Sequence, residues 1–381
     1  MRGTPDYQSQ IYYAIDIESW IPADHPLRAV KRRADGILAA MRPDFEAAYA
    51  RLGRPSIPPE MLLKALLLQA LYSIRSERQL VEQIQMNLLY RWFIDLSLDA
   101  AVWNHSTFTK NRERFEQHGL LRRFFERVVE GAYTEAWASE EHFSVDGTLI
   151  QSYASMKSLR PLDSAAERVS DDAEDDDPGN PTVSFRGERR SNDTHRSLTD
   201  PEARLMRKAA GQAAKLAHGA HVLMENRHGL VIDVAVSEVG GKAERHHALG
   251  LTRRARKRHR LKPRTLAADK GYDAGPFLHV LETKEKIVPL VPIRRGPIKS
   301  HDPEADARRR ARRRQRTVRY RVGQRCRKRV EEIFGWTKII GGLERSRHVG
   351  RWKIEQQWLV VNAAYNLLRL SRLESTAREA A

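Results

Sequence analysis

Up to about residue 137 the apolar positions recur at helical spacing. In "HPLRAVKRRADGILAAM" they are Leu27, Val30, Ile37, Leu38 and Met41. "SIPPEMLLKALLLQALYSI" predicts a second helix, with Ser56 as cap and Pro58 and Pro59 in the first turn. "SERQLVEQIQMNLLYRWF" opens on Ser76 and carries an apolar stripe of Leu80, Ile84, Leu88 and Leu89. "HSTFTKNRERF" predicts another start, capped by Ser106 or Thr107, with Lys110, Arg112 and Arg114 along the helix. "GLLRRFFERVVEGAYTEAW" continues the set.

From about residue 141 the pattern changes. "HFSVDGTLI" has the aromatic and β-branched content of a strand. In "AHGAHVLMENRHGLVIDVAVSEV" the turn signal "NRHG" separates two strand-like runs, and Ile232, Val234 and Val236 alternate with Asp233, Ala235 and Ser237. A helix "AERHHALGLTRRAR", a strand in "RTLAADKGYD", a helix "AGPFLHVLETKE" and a strand "KIVPLVPI" follow. An arginine-rich segment, 308–329, runs into a helix reaching about residue 340, and "IEQQWLVVNAAYNLLRLSRL" predicts the last helix. This order predicts an α/β core, a mixed sheet flanked by helices, preceded by an all-α N-terminal domain. The expected boundaries are 1–137 for the helical domain and 138–372 for the core, with a flexible tail at 373–381. A stretch of about 159–200, acidic and then polar, predicts a loop or disordered insertion. Its Asp171, Asp172 and Asp175 to Asp177 read as solvated charge rather than a site.

Charge changes the picture more than composition does. Hydrophobic residues at 41% are ordinary for a globular chain, which excludes wholesale disorder. Lys+Arg 67 against Asp+Glu 49 gives +18, which points to a polyanionic partner bound through its phosphates. The most apolar run, "MLLKALLLQALY", is too short to span a membrane and contains Lys64 and Gln69. "MRGTPDYQSQIYYAIDIESW" lacks the apolar core of a signal peptide. Cys326 is the only cysteine, so an intrachain disulfide and a cysteine-ligated zinc site are excluded. A cytoplasmic, nucleoid-associated location is expected. The helix–turn–helix–turn–helix order with a basic third element is compatible with DNA reading through Lys110 and Arg112. A helical packing or dimerisation domain remains the other reading.

Three acids stand in segments predicted to be ordered. Asp146 interrupts the strand "FSVDGTL", Asp269 closes "RTLAADKGYD", and Glu331 and Glu332 lie in "RCRKRVEEIFGWTK". A carboxylate buried in a strand destabilises unless a cation compensates it. Hard oxygen ligands on converging rigid elements suit Mg²⁺ and phosphoryl transfer. The alternatives are local: Asp146 turning onto Gly147, Asp269 making an Asx-turn, and Asp273 capping the helix that follows it.

"SVDGTLIQSYASMKS", "LAADKGYD" and "RCRKRVEEIFGWTK" resemble, in order, the three signature regions of DDE transposases of bacterial insertion sequences. The likeness is greatest to insertion-sequence family five and covers nearly the whole chain, including "PPEMLLKALLLQALYSIRSERQLVEQI" and "AAYNLLRLSRL". It implies a ribonuclease H-like core in which Asp146 and Asp269 are the first two catalytic acids. The third belongs to a tyrosine, arginine, glutamate, lysine signature. Its spacing selects Glu331, with Arg327 before it and Lys338 after it, over Glu332. On a continuous helix Arg327, Glu331 and Lys338 share a face, while Glu332 can pair with Lys328. The tyrosine position holds Gln324, a departure from the signature, and Trp336 is a candidate for base stacking or core packing.

The resemblance further implies two Mg²⁺ ions, replaceable by Mn²⁺, held by Asp146, Asp269 and Glu331. It implies terminal inverted repeats and target DNA as partners, and a homodimer on DNA. Arg325, Arg327, Arg329 and Lys338 would meet phosphates, and the arginines of 308–329 the flanking backbone. The competing readings are a metal-dependent nuclease without strand transfer and an inactive DNA-binding regulator.

Overall fold

The computed structural model describes residues 16–50, 52, 55–162, 183–185, 187–207, 213–240, 243–298 and 302–380. The acidic run with Asp171, Asp172 and Asp175 to Asp177 lies outside the described residues. Eight helices come first: α1 (Ile17–Trp20), α2 (Pro26–Ala40), α3 (Arg42–Ala48), α4 (Pro59–Leu71), α5 (Glu77–Met86), α6 (Leu88–Ile94), α7 (Ser106–Gln117) and α8 (Leu120–Thr134). Among the expected caps, Ser76 holds: its side chain accepts from Gln79 N–H at 3.1 Å. Ser56 does not cap α4, whose cap position is Pro58. At α7, Asn104 rather than Ser106 or Thr107 supplies the oxygen, to Ser106 N–H at 2.9 Å.

The strands are β1 (His142–Gln151), β2 (Leu159–Pro161), β3 (Val183–Phe185), β4 (Glu188–Arg190), β5 (His195–Ser197), β6 (Arg204–Met206), β7 (Lys215–Glu225), β8 (Val231–Ser237), β9 (Thr265–Ala267) and β10 (Val288–Leu290). The remaining helices are α9 (Ala243–His259), α10 (Gly275–Thr283), α11 (Pro303–Arg314), α12 (Val318–Arg327), α13 (Arg329–Ile339) and α14 (Arg351–Ala380). The main sheet runs β10-β9-β1-β7, and β6 and β8 share the outer edge of β7. Pairing is antiparallel from β1 through β7 to β8 and parallel from β1 through β9 to β10. The result is the expected mixed sheet flanked by helices.

Two expectations change. The stretch 159–200 is not simply a loop: β2 pairs with β5, and β3 with β4. Its end is pinned by Asp200, whose Oδ2 accepts Ser152 Oγ at 2.6 Å and meets His218 Nε2 at 2.9 Å, all fully buried. The expected flexible tail is helical, because α14 continues to Ala380. In β8 both sets of alternating residues are buried, under α9 and α14.

That burial explains Asp233. Its carboxylate accepts from Arg122 Nη1 of α8 and Arg254 Nε of α9, each at 2.9 Å, while Arg122 also reaches Glu355 of α14. One buried charge thus ties the helical region to the sheet, and one hydrophobic core runs through both. A buried charge stripped of its partners typically costs about 3–5 kcal/mol, so this junction resists separation of the two regions.

Candidate functional site

The register of β1 against β9 places the first two acids. His142, Phe143 and Ser144 lie opposite Thr265, Leu266 and Ala267, and the same register continued by two residues sets Asp146 level with Asp269. On parallel neighbouring strands, residues at one level point to the same face. β9 ends at Ala267, and Asp269 opens a 3₁₀ turn in which its Oδ1 accepts Gly271 N–H at 2.8 Å. The Asx-turn therefore exists, and it fixes the Asp269 carboxylate beside β1.

Asp146 is largely withdrawn from water, its side chain 17% exposed. Its Oδ1 accepts Gly147 N–H at 2.8 Å, and Arg327 Nη1 donates to Oδ2 at 3.0 Å. Burial first, and then the Asp269 charge, push its pKa up to about 7. The Gly147 N–H and Arg327 act in the opposite direction, and Glu244 raises it further. Burial outweighs the salt bridge, as expected when a carboxylate is withdrawn from water beside a second acid.

Sequence patterning missed Glu244. It sits in the first turn of α9, and a Cβ on Gly147 would come within 3.0 Å of its Oε1. The glycine after Asp146 is therefore a close-approach position. The signal was the pair Asp146-Gly147 itself, but nothing in the sequence said which side chain needs the space. Tyr272 completes the surroundings. It is 1% exposed, its hydroxyl has no hydrogen-bond partner, and burial followed by Glu244, Asp146 and Asp269 raises its pKa.

Gln324, at the signature's tyrosine position, does structural work. Its Nε2 donates to Ala268 O at 3.0 Å and Leu290 O at 2.5 Å, closing α12 onto the ends of β9 and β10. Its Oε1 accepts from Arg327 Nε at 3.3 Å. A chain of contacts thus runs from the strand ends through Gln324 and Arg327 to Asp146.

Glu331 is not part of that chain. The helix expected to be continuous from Arg325 to about residue 340 divides at Lys328, which ends α12 and precedes α13. Lys328 keeps right-handed helical backbone angles, so the interruption is one residue long; Arg327 donates to Asp146, and Glu331 is exposed in the first turn of α13. Glu331 and Lys338 remain on one helix, which packs on β1, with Lys338 half-buried in its last turn. Glu332 is exposed as well, and no ion pair joins it to Lys328. Trp336 packs edge-on against Tyr365 at 5.6 Å beside the core, so its role is packing.

The basic residues sort into two groups. Arg112 is paired with Glu77, and Arg329 Nη1 donates to Arg227 O at 2.6 Å, so neither is a free phosphate ligand here. In α11, Arg308 grips the fully buried Asp273 at 2.8 and 2.9 Å, and Arg310 and Arg314 hold Glu282 of α10. Asp273 is thus a buried anchor rather than the cap of α10, which has Ala274 at that position. Lys110, Arg313, Arg316, Arg319, Arg321, Arg325 and Lys328 are exposed and carry the basic surface.

Among the described residues, no three His, Cys, Asp or Glu side chains already form a metal-holding group. The donor set nevertheless fits a hard cation. Asp146 on β1 and Asp269 just past the end of β9 lie close enough for the Asp269 charge to act on Asp146, which burial holds against its ionised form. No helix among the described residues is long and apolar enough to cross a membrane.

Two family profiles match the chain. Residues 15–114 match the family described as Transposase domain (DUF772), and residues 190–367 match the Transposase DDE domain. Asp269, Arg327, Glu331 and Lys338 fall within the second match, and Asp146 precedes it. No curated protein and no solved structure matches.

Proposed function

We propose that this chain, a DNA transposase by its two transposase domains, belongs to insertion-sequence family five and works on a ribonuclease H-like core. In this reading it binds the terminal inverted repeats of its own element, as a homodimer on DNA, in the cytoplasm with the nucleoid. The observation that supports it is the parallel pairing of β1 with β9, whose continuation past Ala267 brings the Asp269 charge to bear on Asp146.

Asp146, Asp269 and Glu331 would hold Mg²⁺, or Mn²⁺ in its place, two ions to a site. The chemistry such ions supply is Lewis acidity toward the scissile phosphate. Water attacks the phosphorus at the element end, and the P–O3′ bond breaks with its electron pair staying on the 3′ oxygen, which takes a proton. The freed 3′-hydroxyl then attacks a target phosphodiester and displaces a second 3′ oxygen, so no covalent protein–DNA link forms. Arg327 sits beside Asp146, where its guanidinium can pass to a phosphate oxygen, and Lys338 adds a second cation from α13. The exposed basic residues Lys110 and Arg325 hold the backbone without reading sequence.

The test is a labelled element end incubated with target DNA and Mg²⁺. A joined product is expected. Cleavage without joining would make the chain a nuclease, and binding without cleavage an inactive regulator. Asp146→Ala, Asp269→Ala and Glu331→Ala should each lower cleavage on the order of a hundredfold or more and leave DNA binding intact. Glu332→Ala should cleave nearly normally; loss at Glu332 with activity kept at Glu331 would sink the assignment of the third acid.

A further inference from the structure

We infer that Glu244, on α9 and outside the three signature regions, is a cation-binding carboxylate of the same site. The inference rests on the reading of Asp146 and Asp269 as cation ligands.

Three observations meet here. The Glu244 side chain occupies the space over Gly147 where any Cβ would stand, within 3.0 Å for Oε1 and 3.4 Å for Cγ. Gly147 directly follows Asp146 and its N–H holds Asp146 Oδ1, and Glu244 lies near enough for its charge to act on the Asp146 carboxylate. The buried hydroxyl of Tyr272 is orphaned among the same three carboxylates, Glu244, Asp146 and Asp269. Neighbouring carboxylates repel one another, and an unpartnered buried hydroxyl adds its own cost. A divalent ion, with its inner-shell water, answers both demands, supplying charge to the acids and a partner to the hydroxyl. Arg327, the cation now on Asp146, answers only the first.

The readout is Mn²⁺ binding to the full chain without DNA, followed by electron paramagnetic resonance and by calorimetry, with circular dichroism as the check on folding. Glu244→Gln should weaken Mn²⁺ binding by about tenfold or more. Gly147→Ala should do the same by crowding the carboxylate aside, so a second variant reports on the same contact. Asp146→Asn and Asp269→Asn are the controls. Weakening by the two aspartate variants with binding unchanged in both Glu244→Gln and Gly147→Ala overturns the role of Glu244 and leaves the site reading standing. No saturable binding by the unaltered chain, or no loss with either aspartate variant, overturns the site reading itself.

Discussion

Replacing Asp146 by Asn should make the cation-free protein more stable at high pH, and the structure sets the size of the gain. An aspartate titrates near 3.8 in the unfolded chain, whereas burial and the Asp269 charge push Asp146 up to about 7 in the fold. The folded state therefore binds this proton more tightly than the unfolded state does. The associated stability is fully present below about pH 4, is lost progressively as pH rises, and is gone above about pH 7. A shift of that size corresponds to at most about 4 kcal/mol. The Arg327 contact is already contained in that shift, and between pH 4.5 and pH 8 the titration accounts for about 3 kcal/mol. Urea denaturation in a chelating buffer at pH 4.5 and pH 8 measures it. The difference in unfolding free energy between Asp146→Asn and the unaltered chain should grow by about 3 kcal/mol between the two pH values. Adding Mn²⁺ at pH 8 should stabilise the unaltered chain and not the variant. A difference that does not change with pH would refute the claim that desolvation and Asp269 govern this carboxylate.

Two other perturbations test the frame around the site. Gln324→Ala leaves the Ala268 and Leu290 carbonyls short of a donor, and should cost about 1–3 kcal/mol in urea denaturation; an unchanged midpoint would mean α12 is held by other contacts. Arg308→Met leaves the buried Asp273 carboxylate with the Arg294 N–H but no cation and should cost about 3 kcal/mol, whereas Arg313→Met, on the exposed side of the same helix, should stay within about 0.5 kcal/mol.

Elements with a strong local signal were legible in the sequence. The helical run to Thr134, the strand around Asp146, the β7–β8 hairpin and the order of the elements after it all follow from periodicity and turn residues. Local chemistry misled where a tertiary partner outbid it. Asp273 has every mark of a cap, yet its carboxylate turns to the two-pronged Arg308 guanidinium and the Arg294 N–H, because a buried carboxylate gains most from a charge-assisted pair. The arginine-rich segment looked uniform, but three of the six arginines of α11 are internal anchors, and only contacts across α10 and α11 decide which arginines face water.

The sequence by itself determined which residues could do chemistry here. Asp146 in an apolar strand, Asp269 at a strand end and a basic chain around them follow from residue type and period alone. What only the tertiary structure decided is which groups meet. Strand register, a non-local property, brings Asp146 level with Asp269. The packing of α12 on β1 brings Arg327 onto Asp146, with a one-residue interruption at Lys328 before α13 begins. The packing of α9 over Gly147 then adds Glu244, a residue that no linear pattern connects to the strand it faces.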